Sequence, residues 1–209
     1  MLYRAFLILF LGLLCLGWIL ITALPQNQLE EDVNQAMTYI KAKEYAAALP
    51  LLEPHIPVLL DSLQNQPSAL KAMTAILMAC YSKTGHIEKA REWQNKLLEV
   101  ALAIQDFPLL NQQINKLYQQ GRYTESIRWA EKAVEIIGKL NPNHLDYGNS
   151  LNNLAVSHLA MGHYNRAESL FLQTKNIFKA QLGEDHPHYA QLLNNLASLY
   201  KSMGRYGES

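Results

Sequence analysis

Two stretches of this chain, residues 140–169 and 182–209, are near copies of each other. Asn152-Asn153-Leu154-Ala155 recurs as Asn194-Asn195-Leu196-Ala197, Met161-Gly162 as Met203-Gly204, and Tyr164 as Tyr206, each 42 positions later. A fixed offset of this size marks a stacked array, in which one supersecondary unit cannot bury its apolar face alone and does so against its neighbours. The 209 residues, 49% of them apolar, have room for a handful of such units.

Gln26 to Glu31 reads as a polar connector, and after it the pattern is helical. Tyr, Leu, Ile and Ala recur at three- and four-residue intervals, with a glycine or polar break roughly every 15–20 residues, which predicts short helices joined by tight turns. Aligned on the break, the chain shows Lys43-Glu44-Tyr45, Gly85-His86-Ile87, Gly121-Arg122-Tyr123, Gly162-His163-Tyr164 and Gly204-Arg205-Tyr206, at successive offsets of 42, 36, 41 and 42. The turn glycines Gly85, Gly121, Gly162 and Gly204 are expected to take the positive φ that ends a first helix, and the large residue two places later to fill the elbow. Five places after the break stand Ala48, Ala90, Ser126, Ala167 and Ser209, all small enough for a second helix to pack closely on the first.

The Gly-x-Tyr-x-x-Ala spacing, preceded by a Leu-Ala step, resembles the tetratricopeptide repeat over roughly residues 29–209. Leu182-Gly183, His186-Pro187, Leu193 to Ala197 and Gly204 to Tyr206 resemble the longer repeats of the kinesin light chain type. The preceding unit departs from that signature in its linker, with Asn141 for Gly and Leu145 for Pro. The resemblance implies an all-α, right-handed superhelical solenoid of antiparallel hairpins whose first helices line a concave groove. It divides the chain into a degenerate first hairpin and linker over 25–68, then an array over 69–209 with units at about 69–105, 108–140, 146–182 and 188–209. The first unit carries Lys43 in place of glycine, and Pro54 and Pro57 are expected to break its second helix. The last unit is truncated at Ser209, which leaves Leu192, Leu193, Leu196 and Leu199 without a covering helix and predicts that the sequence is a fragment of a longer protein.

The N-terminus carries a different signal. Residues 5–24 contain no charge, and a helix of that length spans about 30 Å, one hydrocarbon core. The run is long for a secretory signal, although Ile21-Thr22-Ala23 offers a cleavage site, so residues 1–24 are either a single-pass membrane anchor or a signal peptide. Arg4 before the run and Glu30, Glu31 and Asp32 after it place the N-terminus in the cytoplasm and the array outside it, secreted if the segment is cleaved. Lys plus Arg equals Asp plus Glu at 18 each, so the basic excess that nucleic acid demands is missing. The two cysteines, Cys15 and Cys80, suggest no disulfide framework.

The sequence offers no nucleophile–base pair, phosphate-cradling loop or paired-cysteine motif, so neither catalysis nor a cofactor is expected within these residues. His158 and His163, or His186 and His188, do not share a helical face at metal-binding spacing, and no metal is expected. Binding has the better case. Asn111, Asn152 and Asn194 stand ten residues before the glycine in three successive units, and Gln112, Asn153 and Asn195 follow them. Asparagine is a poor helix former, so its recurrence inside a helix needs a reason. Its amide can hydrogen bond a peptide backbone, or it can pin neighbouring hairpins together. By the resemblance, first-helix asparagines contact ligand, so Asn111, Asn152 and Asn194 are assigned to peptide binding, together with Asn115, Tyr118 and Lys201 further along the face. Gln112, Asn153 and Asn195 are assigned to stack pinning. The expected function is a non-catalytic scaffold for a peptide or partner domain. The alternative is the repeat region of a larger enzyme, since bacterial proteins with similar repeats continue into a caspase-like CHAT peptidase domain. Self-association through the uncapped C-terminal end is a further expectation.

Overall fold

Each helix break in this chain has a local cause, and the breaks set the architecture. The computed structural model describes residues 26–205, and the described residues form helices and turns. The chain falls into two compact units, residues 1–104 and 105–209.

The described part of the first unit contains α1 (Gln26–Lys41), α2 (Tyr45–Leu52), a 3-10 turn (Glu53–His55), α3 (Ile56–Leu63), α4 (Pro67–Lys83) and α5 (Ile87–Ala103). Two of its prolines account for the breaks between α2 and α3, while Pro50 lies inside α2 without ending it. Proline has no N–H to give a helix interior, and Pro54 and Pro57 stand at the starts of the 3-10 turn and of α3, where that N–H has no intrahelical partner to lose. The 3-10 turn is held to α1 by His55 Nε2 and Asp32 Oδ2, 2.8 Å apart, and this contact holds the Asp32 carboxyl below its ordinary range. Leu49, Leu52, Leu59, Leu63, Met73 and Leu77 form the buried centre of the unit.

The second unit contains α6 (Phe107–Gln119), α7 (Tyr123–Leu140), α8 (Leu145–Ala160), α9 (Tyr164–Leu182) and α10 (Pro187–Ser202). Helices α6 and α7 form one antiparallel hairpin and α8 and α9 the next, with α10 packed on α9. The first helices also meet one another, α6 with α8 and α8 with α10. Two glycines permit the closest approaches. A Cβ on Gly148 would lie 2.8 Å from the Phe178 ring, and one on Gly138 would lie 3.0 Å from the Tyr147 ring.

The hairpin turns share one backbone arrangement. Gly85, Gly121, Gly162 and Gly204 have φ between 73 and 80°, and Lys43 adopts φ 64° at the equivalent place in the first hairpin. At the α8–α9 turn, His163 N donates to His158 O at 2.9 Å and Gly162 N to Leu159 O at 3.0 Å, the paired bonds that satisfy the last carbonyls of a helix. The elbow filling expected of the large residue two places after the break is not general. Ile87 is 54% and Tyr164 36% exposed, because the backbone bonds close the turn without a side chain. Packing is carried by the small residue three places further on, and Ala48, Ser126 and Ala167 are fully buried. Ser126 adds what an alanine could not, since its Oγ donates to Ile114 O at 3.3 Å and lies 2.8 Å from Ser157 Oγ.

The apolar run at 5–24, Cys15 and the last four residues, 206–209, lie outside the described residues. Among the described residues, no helix is long and apolar enough to cross a membrane.

Candidate functional site

Helices α6, α8 and α10 are started by side-chain caps, and two of the three caps are imidazoles. Asp106 Oδ1 accepts from Leu109 N at 3.2 Å before α6. His144 Nδ1 accepts from Asp146 N at 3.2 Å before α8, and His186 Nδ1 from His188 N at 3.1 Å before α10. The recurring histidine of the linker is therefore a cap, a role that its position just ahead of an apolar helical pattern could have signalled.

The asparagine rows lie on these helices, and the structure couples them. Asn111 is buried, at 8% exposure. Its Nδ2 donates to Asp146 O at 3.3 Å, while its Oδ1 accepts from Ser150 Oγ at 2.9 Å and from Asn153 Nδ2 at 3.2 Å. Asn153 Nδ2 also lies 3.3 Å from Asn111 O. Asn111 is thus an anchor between α6 and α8 rather than a side chain presented to a ligand, which corrects its assignment to the binding row. The physical reason is that Asp146, Ser150 and Asn153 of α8 engage both ends of its amide, the oxygen twice and the nitrogen through one of its two hydrogens.

The same geometry recurs one hairpin later in reduced form. Asn195 Nδ2 donates to Asn152 Oδ1 at 3.2 Å. In both junctions the second-row amide reaches back to the first-row oxygen of the preceding hairpin. Asn152 is half-buried and Asn194 exposed, and among the described residues neither Asn152 Nδ2 nor the Asn194 amide has a hydrogen-bond partner. Asn115 and Lys201 are exposed as well. Tyr118 is half-buried at the turn end of α6, its ring centroid 5.4 Å from that of Tyr123. Gln112 is exposed and its side chain makes no hydrogen bond among the described residues, so it does not pin the stack in this structure. The buried glutamine of α6 is its neighbour Gln113, at 2% exposure.

Along one face of the second unit these positions leave a free amide N–H2 on α8, a whole amide on α10 and the Lys201 ammonium. Such a surface can hold a ligand by hydrogen bonding. Among the described residues, no three His, Cys, Asp or Glu side chains converge on a metal-sized site.

Consecutive antiparallel hairpins with side-by-side first helices define a helical repeat protein. Family profiles described as tetratricopeptide repeat match residues 109–180 and 190–209. No curated protein matches the chain. Among solved structures, BtubC (BKLC) from P. vanneervenii is 15% identical, with 95% of this chain and 86% of that one covered and a TM-score of 0.53. A variant of a putative kinesin light chain from Podosopora anserina, with nearly identical TPR-like repeats, is 20% identical, with 86% and 88% covered and a TM-score of 0.58. A mutant of MamA is 19% identical, with 88% and 87% covered and a TM-score of 0.51. At these identities the structural likenesses speak for the fold. The profiles show that residues 109–180 and 190–209 are tetratricopeptide repeats, and the structural likenesses agree with that fold. Such repeats build protein–protein interaction scaffolds.

Proposed function

We propose that this chain binds an extended peptide segment along α6, α8 and α10, through the amides that the stack leaves free. The observation that carries this reading is the split within the asparagine ladder: the oxygen of Asn152 is held by Asn195, while its N–H2 and the Asn194 amide remain open. The face therefore presents mainly donors, Asn152 Nδ2 and Lys201 Nζ among them, and suits a ligand read through its carbonyl oxygens. Asn115 stands on the same stripe of α6, four residues after the buried Asn111.

The test begins with selecting a binder from a random-peptide display library on the full chain. Affinity for that peptide is then measured by fluorescence anisotropy for wild type and for the Asn152→Ala/Asn194→Ala double variant. Loss of two hydrogen bonds at about 1 kcal/mol each corresponds to binding weaker by roughly tenfold or more. Helix content by circular dichroism is expected to stay the same. Equal affinity in both proteins would remove the assignment.

We further propose that residues 5–24 hold the array at a membrane, outside the cytoplasm. What supports this is the uncharged run between Arg4 and the acidic residues Glu30, Glu31 and Asp32. Protease added to intact cells should digest the repeats, and full protection would overturn the orientation.

A further inference from the structure

The turn between α8 and α9 differs from its siblings in the side chains that meet across it. In each turn the residue four places before the glycine and the residue after it are joined by a backbone hydrogen bond: Tyr81 with His86, Leu117 with Arg122, His158 with His163 and Tyr200 with Arg205. At the α4–α5 turn the Tyr81 and His86 rings meet edge to face at 6.0 Å. After α10 the Arg205 guanidinium lies 4.8 Å from the Tyr200 ring centroid. Only at the α8–α9 turn, among these four, are both residues histidines, and their Nδ1 atoms are 3.1 Å apart.

A hydrogen bond between two imidazole nitrogens needs one hydrogen and one lone pair. His163 is exposed, and its Nδ1–H can donate to the Nδ1 lone pair of His158. A second proton, on His158, puts hydrogens on both facing nitrogens and two positive rings against each other. His158 is badly placed to carry that charge: it is 5% exposed and its Nε2 has no hydrogen-bond partner. The charged groups around it are His163, Arg166 on α9 and Glu131 on α7, with Arg166 and Glu131 joined at 3.4 Å. Burial, then Arg166 and His163, hold the His158 pKa below its ordinary value, and Glu131 opposes them.

We propose that the α8–α9 turn is a proton-operated latch, closed while His158 and His163 share at most one added proton and opened when both rings are charged. The bonds released on opening are those of the turn itself, His163 N to His158 O and Gly162 N to Leu159 O. The buried Nε2 of His158 gains access to water in the open form. The latch does not depend on the peptide-binding reading.

Amide hydrogen exchange on the full chain tests it, because exchange reports local opening turn by turn. Protection of Gly162 and His163 should fall by about tenfold or more, relative to the intrinsic rates, between about pH 7 and pH 5, the range in which histidines titrate. The turns at Gly121-Arg122 and Gly204-Arg205 share the backbone arrangement without the histidine pair and should keep their protection. His163→Gln cannot carry the second charge, so the loss at the α8–α9 turn should be smaller than in wild type, with the buried His158 accounting for the remainder. His163→Asn, equally uncharged, provides a second variant should the first fold poorly. Equal loss at all three turns, or the same loss in both variants, would overturn the latch. So would NMR titrations in which both rings gain protons while Gly162 and His163 stay protected.

Discussion

The junction between α6 and α8 and the junction between α8 and α10 are built from the same asparagine pair and come out differently. At the first, Asn111 is enclosed and bonded at both ends of its amide, by Asp146 O, Ser150 Oγ and Asn153 Nδ2. At the second, Asn152 shares one bond with Asn195. Buried, the pair holds two hairpins together; half-buried, it keeps one contact and leaves donors facing outward. One sequence motif therefore serves two ends, and the number of partners in the next hairpin decides which.

The comparison can be broken most forcefully at the closed junction. Asn111→Ala leaves the buried Ser150 Oγ without its acceptor and Asn153 with only the Asn111 carbonyl, and an unsatisfied buried polar group costs about 1–3 kcal/mol. The expected loss of stability in urea unfolding is about 2–3 kcal/mol; a loss below about 0.5 kcal/mol, the floor for a typical hydrogen bond, would show that packing rather than the amide network holds α6 to α8.

A smaller effect is expected at the helix starts. Removing an N-cap side chain costs about 1 kcal/mol, so His186→Ala should lower stability by that amount, with His186→Asn restoring most of it. His144→Ala removes the same kind of cap and should cost about as much, because the Nδ1 that accepts from Asp146 N cannot at the same time donate to Asp146 Oδ2, 3.3 Å away. Thermal melts of the three variants read the order directly, and equal stability of His186→Ala and wild type would remove the cap from the account. The smallest change is expected for Asn195→Ala, about 0.5 kcal/mol, because its single bond to Asn152 is only partly shielded from water. A loss as large as that of Asn111→Ala would erase the distinction between the junctions.

Much of this architecture was legible in the residues. The 42-residue offset, the turn glycines and the small residues after them come from local requirements: positive φ, a closed last helical turn and a close second helix. Pro54 and Pro57 likewise predicted the broken second helix of the first hairpin, since a missing N–H acts wherever the residue stands. The site was less legible. Asn111 and Asn152 occupy the same position in their repeats, and nothing within six residues of either announces that one is enclosed. Gln112 matches Asn153 and Asn195 by alignment, yet among the described residues its side chain makes no hydrogen bond, and the neighbouring Gln113 is the buried one. The cap roles of His144 and His186 were open to reading from position, but histidine is rarely sought as a cap.

The sequence by itself determined the repeat, the places where each helix stops and the family of folds that can satisfy them, because backbone conformation and apolar periodicity are properties of short stretches. It also singled out the asparagine pairs as the residues that helix propensity could not explain. Which amides find a partner in the stack was decided only in three dimensions. The partner of each one lies 35 to 43 positions away on the next hairpin. Whether it arrives depends on how closely two helices approach, as Gly148 allows for α8 against α9, rather than on the identity of the asparagine itself.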